Sequence, residues 1–196
     1  MRYDSDHKQA TRERVLREAA NEIRAKGPDG VAVAGLMARA GLTHGGFYAH
    51  FASKDALVAE AVGTMFDDAR RRSDMLDGGD DPRAALRDYL EFYLSTAHRD
   101  GRDRGCPLPA LSGDIARTSG PARNRFAKGV VGLSSRLAGL LTSIGVDQPE
   151  SEGNALLAQL VGAVSLARAL GDRPESLAVL EDTKSRIIAR FELDRT

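Results

Sequence analysis

Apolar residues recur three and four positions apart along nearly the whole chain, and no stretch alternates apolar with polar residues in the rhythm of a half-buried strand. The pattern predicts an all-α protein of about nine helices. The first is expected from about Lys8 to Lys26, with Leu16, Ala19, Ala20 and Ile23 on one face, and it stops at Gly27-Pro28. Val33, Leu36, Met37 and Ala40 mark a short second helix that Gly41 breaks. After a third short helix, Ser53 is a suitable N-cap for a long helix through about Leu76, and Gly78-Gly79-Asp80-Asp81-Pro82 closes it and opens the next. That next helix should bury Leu86, Tyr89, Leu90, Tyr93, Leu94 and Ala97, with HRDGRDRG (His98 to Gly105) following as a polar loop. Pro107 to about Arg117 is a short helix carrying Leu108, Leu111 and Ile115. Ser119-Gly120-Pro121 starts a helix whose Phe126, Val130, Leu133, Leu137, Leu140 and Ile144 alternate four and three apart, a coiled-coil-like seam. Helices from Ser151 to Leu170 and from Pro174 to about Phe191 complete the chain.

The third short element is GLTHGGFYAHF, Gly41 to Phe51. Thr43 is a preferred N-cap, and Leu42 and Phe47 stand at the spacing of a hydrophobic staple, so an α-helix is expected from His44. Phe47 and Phe51 then share the buried face, while His44, Gly45 and Tyr48 face away. With the helix before it, this makes a helix-turn-helix, whose second helix enters the major groove of duplex DNA by its first residues. Here those residues are His44, Gly45 and Gly46. Two glycines cost about 1 kcal/mol each in a helix, and an unsubstituted first turn lets backbone approach DNA closely. Lys54 opens the helix capped by Ser53, where a cation opposes the helix dipole and a phosphate would satisfy both. Tyr48 and His50 are further phosphate donors.

Charge permits this reading without demanding it. The chain is formally neutral, yet residues 1–54 hold nine cations against six anions. The single cysteine, Cys106, excludes an internal disulfide, and the four histidines are not at ligand spacing to it, so neither a metal nor a cofactor is expected. No apolar leader precedes the first helix, and the most apolar run, Ala155 to Leu170, is interrupted by Gln159 and Arg168 and is too short to span a bilayer. A cytoplasmic protein without a membrane partner is expected.

Ala10 to Leu57 resembles the DNA-binding domain of the TetR family of transcriptional regulators, whose pattern ends in Tyr-x-His-Phe-x-x-Lys-x-x-Leu. Tyr48, His50, Phe51, Lys54 and Leu57 match it in register, as do Ala40 and Gly41 in the turn. Val31-Ala32 stands where the family usually has a capping Ser or Thr, and His44 and Gly46 stand where many members have lysine and a bulkier residue. The resemblance implies a DNA-binding head over residues 1–57 that contacts DNA through Thr43, His44, Gly45, Gly46, Tyr48, His50 and Lys54. Residues 58–196 would be a helical body for effector binding and dimerisation.

For the body the resemblance points to Phe92, Tyr93, Thr96, Leu108, Leu111 and Phe126 as the wall of a pocket for an apolar or aromatic effector. It points to Leu156, Leu160, Val164, Leu180, Ile187 and Phe191 as a homodimer interface. A helix apolar nearly all round, as Ala155 to Leu170 is, must be covered on two sides. Cys106, near a helix start and close in sequence to Arg102 and Arg104, is a candidate thiolate sensor of oxidants or electrophiles. The expected protein is thus a homodimeric, ligand-responsive repressor on a pseudo-palindromic operator. The rivals are an activator of the same fold, and a helical enzyme or small-molecule carrier without DNA binding. No phosphate loop, metal pair, nucleophile elbow or acid–base couple supports catalysis, and His98 and Asp100 read as solvated loop residues.

Overall fold

The computed structural model describes residues 2–72, 74–77, 79–118 and 120–194, and the side chains of residues 2–5, 44 and 75 fall outside that description. Among the described residues there is no strand, and nine α-helices follow one another: α1 Arg2–Lys26, α2 Val33–Arg39, α3 Lys54–Arg72, α4 Pro82–Tyr93, α5 Thr96–Asp100, α6 Pro107–Ile115, α7 Pro121–Ser143, α8 Pro149–Leu170 and α9 Pro174–Arg190. Short 3₁₀ helices occupy His44–Ala49 and Asp74–Asp77.

The helices gather around two apolar cores. The first holds Val15, Ala19 and Ile23 of α1, Leu36 and Met37 of α2, Phe47, Phe51, and the first half of α3 to Met65. Leu111 and Ile115 of α6 close it from the other side, which ties this head to the rest of the chain. The second core is built from α4, α7, α8 and α9, with Tyr89, Tyr93, Leu137, Leu156, Leu160 and Ile187 at its centre. Phe66 and Phe126 pack edge to face, centroids 5.6 Å apart, and both border the two cores. The long α3 therefore runs from one core to the other as a rigid connector. Where α7 crosses α8, Gly153 has no room for a side chain, since a Cβ there would lie 3.0 Å from the Ala138 nitrogen and the Ser134 carbonyl oxygen.

Several boundaries depart from expectation. α1 begins at Arg2 rather than Lys8, because nothing in that polar stretch breaks a helix and Gln9 donates to Glu13 one turn on, at 2.9 Å. α3 ends at Arg72, whose guanidinium is drawn to the carbonyl of Arg104, and a 3₁₀ turn then carries Leu76 into the second core. HRDGRDRG is no open loop: Ser95 Oγ accepts the His98 N–H at 3.0 Å and starts α5, so His98 and Arg99 are buried. Asp100 is exposed and paired with Arg99 at 2.6 Å. Because α4 ends at Tyr93, the phase of the chain changes, and Ala97 faces solvent instead of the core. α8 starts at Pro149, which makes it 22 residues, and an 18-residue stretch within it has a mean hydropathy of 1.3. By length and composition that is enough to cross a membrane, contrary to the shorter run read from sequence. Its Leu156, Leu160 and Val164 are instead spent on the second core.

Candidate nucleic-acid interface and effector groove

In the helix-turn-helix, Gly41 at φ 72° turns the chain after α2, and Leu42 and Phe47 both join the first core, as their spacing suggested. The turn into the second helix differs from expectation. His44–Ala49 is a 3₁₀ helix, and Thr43 contributes its backbone carbonyl to the Gly46 N–H at 3.0 Å while its side chain makes no capping bond. With two glycines in six residues the α form has little intrinsic support, and the tighter helix suffices to bury Phe47 and Phe51, each 2% exposed.

What remains outside is the face proposed for DNA. Thr43 and Gly45 are exposed, and Tyr48 is 69% exposed although its ring leans edge-on against Phe47 at 5.2 Å. The side chain of His44 lies outside the described residues. Gly46 is half-buried over Met37. Lys54 sits in the first turn of α3, which Ser53 caps by accepting the Ala56 N–H at 3.0 Å. Its ammonium donates to the Asp29 carbonyl at 3.4 Å across the turn between α1 and α2. His50 is held below its usual pKa by partial burial and then by Lys8 and Arg12.

A residue that sequence reasoning missed fixes this face. Arg12 of α1 ion-pairs with Glu60 of α3, donates to the His50 carbonyl at 3.4 Å, and lies over the Phe51 ring at 5.0 Å. Its partners are 38 to 48 residues away in sequence, beyond the reach of periodicity. Arg39 and Glu22 likewise join α2 to α1.

In the body, the expected pocket residues do not converge. Tyr93, Leu108 and Leu111 are core, the last in the head's cluster. Thr96 is exposed, and Phe92, 37% exposed, stacks on the His98 ring at 5.7 Å. Phe126 packs against Phe66, which lines an opening. That opening is a groove of about 280 Å³ between α3 and α7, with Gly63, Phe66, Gly129 and Leu133 as an apolar floor. Phe66 fits because residue 129 has no side chain: a Cβ there would lie 2.3 Å from the ring. The rim carries Arg70, Arg125, Lys128 and Arg136 around Asp67, with Arg136 also paired to Asp77 at 2.7 Å and Asp74 at 3.6 Å.

Two further expectations are corrected. Cys106 is 8% exposed, and burial pushes its thiol above the ordinary value. The Tyr93 hydroxyl, the Leu108 N–H, Arg168 and Arg24 pull the other way and do not prevail, so the thiol stays protonated and shielded. Leu156, Leu160, Val164, Leu180, Ile187 and Phe191 are each at most 5% exposed inside the single chain. They hold α8 and α9 to the body and have no surface left for a second copy. The apolar surface these helices do present is Leu166, 59% exposed, and Leu177, 46% exposed.

Residues 15–61 match the model of the bacterial regulatory proteins of the tetR family. No curated protein matches the chain. Among solved structures, E. coli NemR in its reduced form superposes with a TM-score of 0.80 at 22% identity, over 91% of this chain and 95% of that one. A TetR-family regulator from Agrobacterium tumefaciens gives 0.79 at 20% identity, over 93% and 98%. A TetR regulator from Chloroflexus aurantiacus J-10-FL gives 0.76 at 26% identity, over 94% and 95%. The first two likenesses concern the fold alone.

Proposed function

We infer, from the premise that the chain belongs to the TetR family of bacterial regulatory proteins, that it is a DNA-binding transcriptional regulator acting as a homodimeric repressor in the cytoplasm. The observation that carries the reading is the exposed Thr43, Gly45 and Tyr48, with Lys54 half-buried at the start of α3, mounted on a head whose core is closed beneath them. Tyr48 and Lys54 supply phosphate donors, while His44 and the glycine backbone take the position from which a helix-turn-helix meets base edges. Two heads on a two-fold axis would read a pseudo-palindrome with half-sites about 34–36 Å apart. The outward strip of α8, Ala155, Gln159, Gly162 and Leu166, supports pairing, since helix faces of this kind form isologous interfaces. Sedimentation of the free protein at the mass of one chain would remove this part.

Selection of bound genomic fragments tests the whole reading, because it reports binding and the regulated neighbours together. Affinity for the selected fragment should fall steeply with salt. Lys54→Ala should weaken binding to all sequences alike and lower the salt slope by about one for each phosphate that Lys54 neutralises. Undetectable or salt-independent binding would refute the reading.

The effector site proposed here is the α3–α7 groove. Its floor suits an apolar or aromatic body, and Arg125 and Lys128 on its rim favour an occupant that also carries an acidic group. An occupant would wedge between α7 and the connector that carries the head, and so alter the spacing of two heads. Lys128→Glu should abolish release of the operator by an amphiphilic carboxylate such as decanoate while leaving DNA affinity intact. Release that persists in this variant places the effector elsewhere.

A further inference from the structure

A second cleft, of about 210 Å³, opens between the end of α1, the loop after α5, the start of α6 and the end of α8. Arg24, Arg102 and Arg168 line it together with Ala25, Pro109 and Ala110, and no carboxylate is among its lining residues. The three guanidiniums come from parts of the chain some 60 to 80 residues apart, and the fold brings them to one place.

Their hydrogen bonds leave positive charge in excess. Arg24 is 4% exposed; it reaches Asp68 at 3.2 Å and the carbonyls of Met65 and Asp103 at 3.4 Å, yet its Nε is buried without a partner. Among the described residues Arg168 donates to the carbonyls of Arg99 at 3.0 Å and His98 at 2.9 Å. Arg102 donates to the carbonyl of Arg168 at 3.0 Å. Asp68 offsets the charge of Arg24, whereas on Arg102 and Arg168 carbonyl dipoles solvate the cations in part but do not neutralise them. Burial lowers the pKa of Arg24 and of Arg168, and the cations Arg72 and Arg102 respectively lower them further, opposed on Arg24 by Asp68 and Cys106 and on Arg168 by Tyr93, Cys106 and the Asp100 carboxylate. Carbonyls need no guanidinium; a neutral amide would serve them without gathering like charges. The fork of an arginine is matched instead by a phosphate or a carboxylate.

We propose that this cleft binds a small oxyanion carrying phosphate or carboxylate groups, held between Arg24 of α1, Arg102 and Arg168 of α8. Such an anion joins the last turn of the head's first helix to the body, at a place separate from the α3–α7 groove. It therefore stiffens the head against the body and raises stability by mass action.

The test uses the full chain with inorganic phosphate and citrate as probes, each titrated against sodium chloride at matched ionic strength and followed by thermal unfolding and calorimetry. A saturable rise in melting temperature beyond the chloride control is expected for at least one probe. Arg102→Gln should weaken that probe about tenfold or more, as removal of a charge-assisted fork does. Without anion the same variant should melt no lower than the unaltered chain, because a like charge has been removed. Arg117→Gln, on an exposed arginine paired with Asp114, should keep the full response. The proposal is overturned if neither probe exceeds chloride, or if the response survives undiminished in Arg102→Gln. Neither readout involves DNA, so its failure is distinct from failure of the regulator reading.

Discussion

A chain carrying Gly45→Ala will melt at or above the temperature of the unaltered protein and bind its operator at least about tenfold more weakly, a loss of about 1.4 kcal/mol. The two halves of this expectation have different causes. Within the protein, nothing requires glycine at this position. Gly45 is not among the glycines with positive φ, and a Cβ built on it meets no atom within 4 Å. Alanine also loses less backbone freedom on folding, a gain of about 0.4–1 kcal/mol where the native conformation suits it. The folded chain should therefore gain slightly. Against DNA the same methyl group stands on the exposed first turn, between Thr43 and Tyr48, where the backbone would lie closest to the groove. Gly46→Ala should behave alike in the fold, since its Cβ would make only ordinary contacts at 3.7 Å with Thr43 Oγ1 and 3.9 Å with Met37 Cε. Thermal unfolding and fluorescence anisotropy on the selected operator check both halves. An unchanged operator affinity would overturn the close-approach reading of the two glycines.

The helix count, the head and the buried pair Phe47 and Phe51 were legible because they rest on local rules: apolar spacing, glycine stops and Ser53 as a cap. What sequence missed lies in contacts that no local rule encodes. Arg12 reaches Glu60 and the recognition element only after folding, and the three arginines of the anion cleft meet only where α1, α6 and α8 converge. The dimer residues were misplaced for a related reason. Spacing identifies the apolar stripe of α8, but it does not say that α7 and α9 consume Leu156, Leu160 and Val164, leaving Leu166 outside. Cys106 failed because adjacency to arginines in sequence was weighed without burial, and burial dominates its thiol. His98 was read as solvated because Ser95 was not recognised as the cap that folds its segment inward.

That buried histidine should make the protein acid-sensitive within a defined window. His98 Nδ1–H donates to the Tyr93 carbonyl at 2.7 Å, and Nε2 accepts the Cys106 N–H at 3.0 Å. Both ring nitrogens are thus satisfied by the neutral form in one tautomer. A proton on Nε2 would face the Cys106 N–H, donor against donor, in a site already flanked by Arg168. The pKa falls from 6.5 to about 4, by burial first of all and then by Arg168 and Arg72, against the raising effect of the Tyr93 carbonyl. Because the folded chain binds this proton less readily than the unfolded chain, stability is complete above about pH 6.5 and is lost as pH falls toward 4. The shift corresponds to about 3 kcal/mol at its limit. Urea unfolding at steps between pH 7.5 and 4 should show this loss, superposed on whatever the carboxylates contribute. His98→Gln keeps an acceptor for the Cys106 N–H and has no proton to gain, so it should start less stable at neutral pH and decline less on acidification. The difference between the two proteins should shrink by about 3 kcal/mol across the window. Parallel decline of the two would show that His98 does not titrate as its burial between Tyr93, Cys106 and Arg168 requires.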